Sequence, residues 1–156
     1  MHNSEHSSAS QPSATVLLVD DHPKLRRLLC LSLERSGFSV REAANVSEAR
    51  TLLSGTRPNA ILLDLQRATR EGLEVLGYIR ARNDLGDVPV AFLASDESDD
   101  IRGRALGGGA DWFGVRPVLL RTLQNQMREF VEHGRPPVRV VGRHRLPAKF
   151  GRVAAG

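Results

Sequence analysis

Apolar and polar positions along this chain fall into two alternating kinds of run. Thr15-Val16-Leu17-Leu18-Val19 is short and almost wholly apolar, the pattern of a strand buried on both faces of a parallel sheet. Asp20-Asp21-His22-Pro23 breaks it, and Pro23 suits the first turn of a helix, where a missing N–H costs nothing. Leu25, Leu28, Leu29 and Leu33 follow at helical spacing, and Gly37 ends that helix. The alternation then repeats. Phe38-Ser39-Val40 predicts a second strand, and Val46, Ala49, Leu52 and Leu53 a second helix, ended by Gly55 and Pro58. Ala60-Ile61-Leu62-Leu63-Asp64 is a third strand, apolar until its last residue. Leu73, Leu76 and Ile79 or Arg80 mark a third helix, 88–93 a fourth strand, and 97–106 a weaker fourth helix. Trp112 and Phe113 lie in a short fifth strand, and Leu119, Leu120, Leu123, Met127, Phe130 and Val131 mark the last helix. Arg135-Pro136-Pro137 stops it, and 138–141 either adds a strand or stays extended. Five strands alternating with five helices predict an α/β domain, a parallel sheet with helices on both faces.

Length and composition narrow this further. The 156 residues suffice for one domain over 14–133, a polar Ser-rich leader over 1–13 expected to be disordered, and a tail over 134–156. Cys30 is the single cysteine, so no intrachain disulfide forms; among leucines it reads as a small buried hydrophobe. No apolar run approaches the roughly 20 residues that cross a bilayer, and the leader lacks the apolar stretch of a signal peptide. The expectation is a cytoplasmic protein with no membrane partner. The net charge of +4 is uneven: 134–156 carries six basic residues and no acids, whereas 14–133 is close to neutral. A tail of that kind binds nucleic acid weakly or is simply solvated; six charges over that length favour solvation.

Ligands of an open parallel sheet bind beyond the carboxyl ends of its strands. Those ends carry Asp20 and Asp21 after the first strand, Asp64 after the third, Ala94 and Ser95 after the fourth, and Arg116-Pro117 after the fifth. Clustered carboxylates raise one another's pKa, a cost that a hard divalent cation removes. An Asp carboxylate can also attack a phosphoryl group, with metal and a nearby cation neutralising the equatorial oxygens. A dinucleotide site needs a Gly-rich turn after the first strand, and Asp-Asp-His-Pro-Lys has none. For a lone acid pair, a solvated loop or helix cap is the better reading; Asp64 at the end of a second buried strand outweighs it. Gly107-Gly108-Gly109 reads as a helix end rather than a phosphate loop. Asp96, Asp99 and Asp100 read as an acidic helix start, and His22 and His144 lack companions at metal spacing.

Val-Leu-Leu-Val-Asp-Asp, Ile-Leu-Leu-Asp-Leu with Gly72-Leu73-Glu74 beyond it, Val88-Pro89-Val90, and Gly109-Ala110-Asp111 leading to Arg116-Pro117 together resemble the response-regulator receiver family. The resemblance covers about residues 14–133. It implies a flavodoxin-like, doubly wound (βα)5 fold with strand order 2-1-3-4-5. It implies Asp64 as phosphoacceptor, a histidine kinase as donor, and weakly bound magnesium held by Asp21, Asp64 and the backbone carbonyl of Gln66, with Asp20 acting through water. It also implies a cis bond before Pro117, and Phe113 as the switch aromatic, usually Tyr.

Departures from the family pattern bear on function. Arg67-Ala68 stands where Met-Pro is common, Ala94 where Thr or Ser ends the fourth strand, and Arg116 where Lys precedes the proline. Ser95 is one residue further along and in a strand would point the other way. Ala94 cannot donate to a phosphoryl oxygen, a bond worth about 1.5–3 kcal/mol when the acceptor is charged. A nearly complete switch needs about 5.5 kcal/mol of differential binding. Arg116 keeps the charge but not the shape of Lys, and either bridges a phosphate or locks onto Asp64 or Asp20. The leading expectation is an atypical stand-alone receiver in phosphorelay signalling, a protein-interaction module rather than an enzyme, with weakened or absent coupling to phosphorylation. The alternatives are a conventional single-domain regulator phosphorylated on Asp64, and a nucleic-acid binder using the basic tail, which is disfavoured. Partners implied are a histidine kinase or other signalling protein. They would meet the surface of the fourth helix, fifth strand and fifth helix, which carries Arg102, Arg104 and Arg121 with Trp112 nearby and could also serve a homodimer.

Overall fold

A computed structural model describes residues 13–66 and 69–136. Strands β1 (Thr15–Asp20), β2 (Ser39–Ala43), β3 (Ala60–Asp64), β4 (Val90–Ala94) and β5 (Trp112–Val115) alternate with helices α1 (Pro23–Arg35), α2 (Val46–Gly55), α3 (Thr69–Ala81), α4 (Asp99–Gly107) and α5 (Leu120–His133). All strand pairs are parallel, and the order is β2-β1-β3-β4-β5, as the resemblance implies.

The apolar runs sit in the middle of the sheet because successive side chains there enter opposite faces, and both faces are covered. Leu17, Val19, Ile61, Leu63, Val90, Phe92 and Phe113 pack with α2, α3 and α4. Val16, Leu18, Leu62, Ala91, Leu93 and Trp112 pack with α1 and α5. The edge strand β2 departs from the expected Phe38-Ser39-Val40. It runs on through Arg41 and Glu42, since an edge strand with an exposed face tolerates polar residues. Pro89 shifts the start of β4 to Val90; its carbonyl, not a missing N–H, enters the ladder, accepting from Ile61 N at 3.0 Å.

Helix starts follow local chemistry. His22 Nδ1 accepts from Leu25 N at 3.2 Å ahead of Pro23, so this histidine is a cap. Asn45 accepts from Glu48 N at 2.9 Å, while Glu48 reaches back to Ala44 N at 2.6 Å, a variant of the reciprocal cap. Ser98 caps α4, which begins two residues later than the pattern predicts. Gly108 and Gly109 close α4, the latter at φ 104°.

Candidate functional site

Register brings the acids together. Asp20 and Asp64 are paired positions at the ends of β1 and β3, and both are fully buried. Neighbouring strands lie about 4.8 Å apart, so two carboxylates share one small volume. Arg116 N donates to the Ala94 carbonyl at 3.0 Å, which fixes the cation's backbone beside the end of β4. Its side chain then turns onto the acids. Arg116 Nε donates to Asp64 Oδ1 at 2.9 Å, Nη2 lies against Asp64 Oδ2, and Nη2 is 3.9 Å from Asp20 Oδ2. Nε thus makes the one hydrogen bond to Asp64, while Nη2 stands against the other oxygen as an ion pair. This contact is the one that the second sequence alternative for Arg116 describes. The Arg116-Pro117 bond is cis.

The rest of the site is a chain of loop-to-loop bonds. Asp20 Oδ1 accepts from His22 N at 2.8 Å, and its backbone carbonyl accepts from Arg26 Nη1 at 2.9 Å. Asp20 Oδ2 is buried with no hydrogen-bond partner. Burial pushes the Asp20 pKa up, against the His22 N–H and Arg116, while Asp21 pushes the same way as burial. Burial also pulls the Arg116 pKa down, opposed by Asp20 and Asp21. Asp21 Oδ1 accepts from Gln66 N at 3.0 Å, and the Gln66 carbonyl accepts from Ser95 Oγ at 3.3 Å. That last bond revises the strand-based reading of Ser95. Strand β4 ends at Ala94, so Ser95 is free of strand alternation and its hydroxyl reaches across to the β3–α3 segment. Ala94 is buried on the side of α3 and α4 and supplies no hydroxyl.

Magnesium takes one or two carboxylates, carbonyls and water. The donor set here is of that kind: the orphaned Asp20 Oδ2, Asp21, Asp64 and the Gln66 carbonyl. Among the described residues no group of three or more His, Cys, Asp or Glu is gathered closely enough to hold a metal ion, so the fit rests on donor chemistry and not on a gathered cage. Phe113 is buried and stacks on Phe92 with ring centroids 6.0 Å apart.

Two expectations change. Trp112 does not border the surface of α4, β5 and α5; it is 1% exposed and packs with α1 and α5. Arg102 and Arg104, whose grouping the sequence leaves open, pair with Glu97 at 3.7 Å and Asp100 at 3.0 Å. Arg135 is not a solvated tail charge: its Nε donates to buried Asp111 Oδ1 at 2.9 Å, whose Oδ2 accepts from Arg80 at 2.8 Å. Sequence reasoning missed this network, because the partners lie 24 and 31 positions apart. The leader, the Arg67-Ala68 departure, His144 and the rest of the tail lie outside the described residues. No helix among the described residues is long and apolar enough to cross a membrane.

Residues 16–128 match the family model described as the response regulator receiver domain. The response regulator MprA of Mycobacterium bovis (strain BCG / Pasteur 1173P2) is 33% identical over 124 residues, covering 80% of this chain and 53% of its own length. The chain therefore spans about half the length of the curated relatives it matches. Among solved structures, the receiver domain of a signal transduction histidine kinase from Syntrophus aciditrophicus superposes with a TM-score of 0.71 at 27% identity, covering 77% of this chain and 91% of that one. The receiver domain of the sensor histidine kinase PA1611 from Pseudomonas aeruginosa PAO1, which has a magnesium ion coordinated in its active site cleft, gives 0.69 at 23% identity, covering 77% and 98%.

Proposed function

The chain belongs to the response-regulator receiver family, and from that premise we propose that it is an atypical receiver, a protein-interaction module whose coupling to phosphorylation is weak. One observation carries this reading: Arg116 stands on the Asp64 carboxylate, hydrogen-bonded through Nε to Oδ1 and ion-paired through Nη2. In phosphoryl transfer from a phosphohistidine, one Asp64 oxygen would attack phosphorus as the P–N bond breaks and the imidazole takes a proton. The second oxygen would serve the metal. A guanidinium on that carboxylate opposes both roles, and it must move before the carboxylate reacts. Ala94 then has no hydroxyl to pull the β4–α4 loop toward a phosphoryl group.

The residues that would hold magnesium are Asp21, Asp64 and the Gln66 carbonyl, with Asp20 behind them. The ion would neutralise carboxylate and phosphoryl oxygens. The conventional reading, a switch phosphorylated on Asp64 by a histidine kinase, draws on the unpartnered Asp20 Oδ2, which suits a cation. Treating the chain with magnesium and acetyl phosphate and weighing the intact protein separates the two. The atypical reading expects little phosphorylated protein, a several-fold gain in Arg116→Lys, and none in Asp64→Asn. With beryllofluoride, amide shifts should stay near Asp64. Full phosphorylation of the unmodified chain, with shifts reaching Phe113 and α5, would favour the conventional switch.

A further inference from the structure

We propose that Ser95 is a positioning residue that couples metal occupancy at the Gln66 carbonyl to the β4–α4 loop. The inference rests on reading that carbonyl as a magnesium ligand.

Gln66 sits between β3 and α3 with both sides of its backbone held from other loops. Its N–H is fixed by Asp21 at 3.0 Å and its carbonyl by Ser95 Oγ at 3.3 Å. The bond to Ser95 is therefore the direct tie between the carbonyl and the loop that leads to α4. A dication at this oxygen attracts its lone pairs and repels the hydroxyl proton that now points at it. The carbonyl has a second lone pair, so the metal does not displace the hydroxyl outright but weakens its bond. A weakened bond loosens Ser95 from the β3–α3 segment.

What lies beyond Ser95 is built to respond. Asp96 Oδ1 accepts from Ser98 N at 3.0 Å, and Ser98 Oγ accepts from Ile101 N at 3.4 Å as the cap of α4. One loop-to-loop bond and two local ones thus lead from Gln66 to the first turn of α4. That helix buries one residue, Ala105, and ends in glycines, so little packing resists a change at its start. With Ala94 at the end of β4, the moving hydroxyl has shifted one residue along. In this chain the loop answers the metal rather than a phosphoryl group.

Amide NMR of the full chain with magnesium chloride alone, against sodium chloride at matched ionic strength, tests this. The expected result is that Gln66 and residues 96–102 shift along one titration curve. In Ser95→Ala the Gln66 shift should persist while the shifts of 96–102 are lost, and Ser95→Thr should restore them. Shifts of 96–102 that survive in Ser95→Ala, or that Ser95→Thr fails to restore, overturn the proposal. If neither Asp21 nor Gln66 responds to magnesium, the metal reading fails and the proposal falls with it, an outcome seen at Gln66 rather than at α4.

Discussion

Asp20 and Asp64 are equally buried, yet only Asp64 has a cation in contact; the guanidinium is 3.9 Å from Asp20. Asp20 is therefore held at a cost, and its raised pKa, due first to burial, is the measure of it. Below the ordinary carboxylate range both folded and unfolded chains hold this proton. As pH rises the unfolded chain loses it first, so stability falls until the folded pKa is passed. Asp20→Asn, which keeps an acceptor for His22 N, should be more stable than the parent by about 1 kcal/mol near neutral pH. That advantage should shrink toward about pH 4, where Asp itself becomes protonated. Urea denaturation at both pH values checks the sign. The same variant should bind magnesium more weakly. Cys30 shows the opposite economy, a buried thiol with nothing to do. Burial, then its hydrogen bond to Glu34, pushes its pKa up to about 12. It should resist iodoacetamide in the folded chain and react once urea unfolds it.

At the scale of elements, β5 is tightly packed around its glycine. A Cβ on Gly114 would lie 2.2 Å from the Trp112 ring and 3.1 Å from Leu93. Gly114→Ala should cost about 1–3 kcal/mol through overpacking, and the fluorescence of Trp112, the chain's one tryptophan, should report the shift. Elements of this kind were legible in sequence to different depths. Strands β1, β3 and β4 are unbroken apolar runs because helices cover both faces, and periodicity alone finds them. The polar half of β2 carries no such mark, because one of its edges and much of its surface meet water. The site divides the same way. Asp20, Asp21, Asp64 and Arg116 follow from the rule that ligands sit at strand ends. The role of Ser95 depends on whether β4 ends at residue 94 or 95, a margin of one residue that hydrophobic pattern does not resolve.

The whole molecule places its two charge clusters at opposite ends of the sheet. The reactive end, at the strands' carboxyl termini, holds Asp20 and Asp64 around one guanidinium. The other end holds the reverse arrangement, one carboxylate between two guanidinium groups. Asp111 precedes β5, and its Oδ2 also accepts from Val90 N at 2.9 Å at the start of β4. Arg80 comes from the end of α3 and donates to the carbonyls of Gly109, Gly86 and Val88. Arg135, just beyond α5, donates to Gly86 at 2.9 Å and Gly109 at 3.4 Å. One carboxylate thus ties two strands, a helix and the segment following α5. Removing the carboxylate leaves two cations facing each other, so Asp111→Ala should cost about 3–5 kcal/mol. Removing Arg135 leaves the Arg80 pair intact, and Arg135 is 27% exposed. Arg135→Gln should therefore cost only about 1 kcal/mol. The two effects share a partner and must not add. In an Asp111→Asn background, Arg135→Gln should cost almost nothing, because the charge that held it is gone. Urea denaturation of the four proteins measures that coupling. An undiminished cost in the Asn background would mean that Arg135 acts through the Gly86 and Gly109 carbonyls alone, and that Asp111 holds the domain together without it.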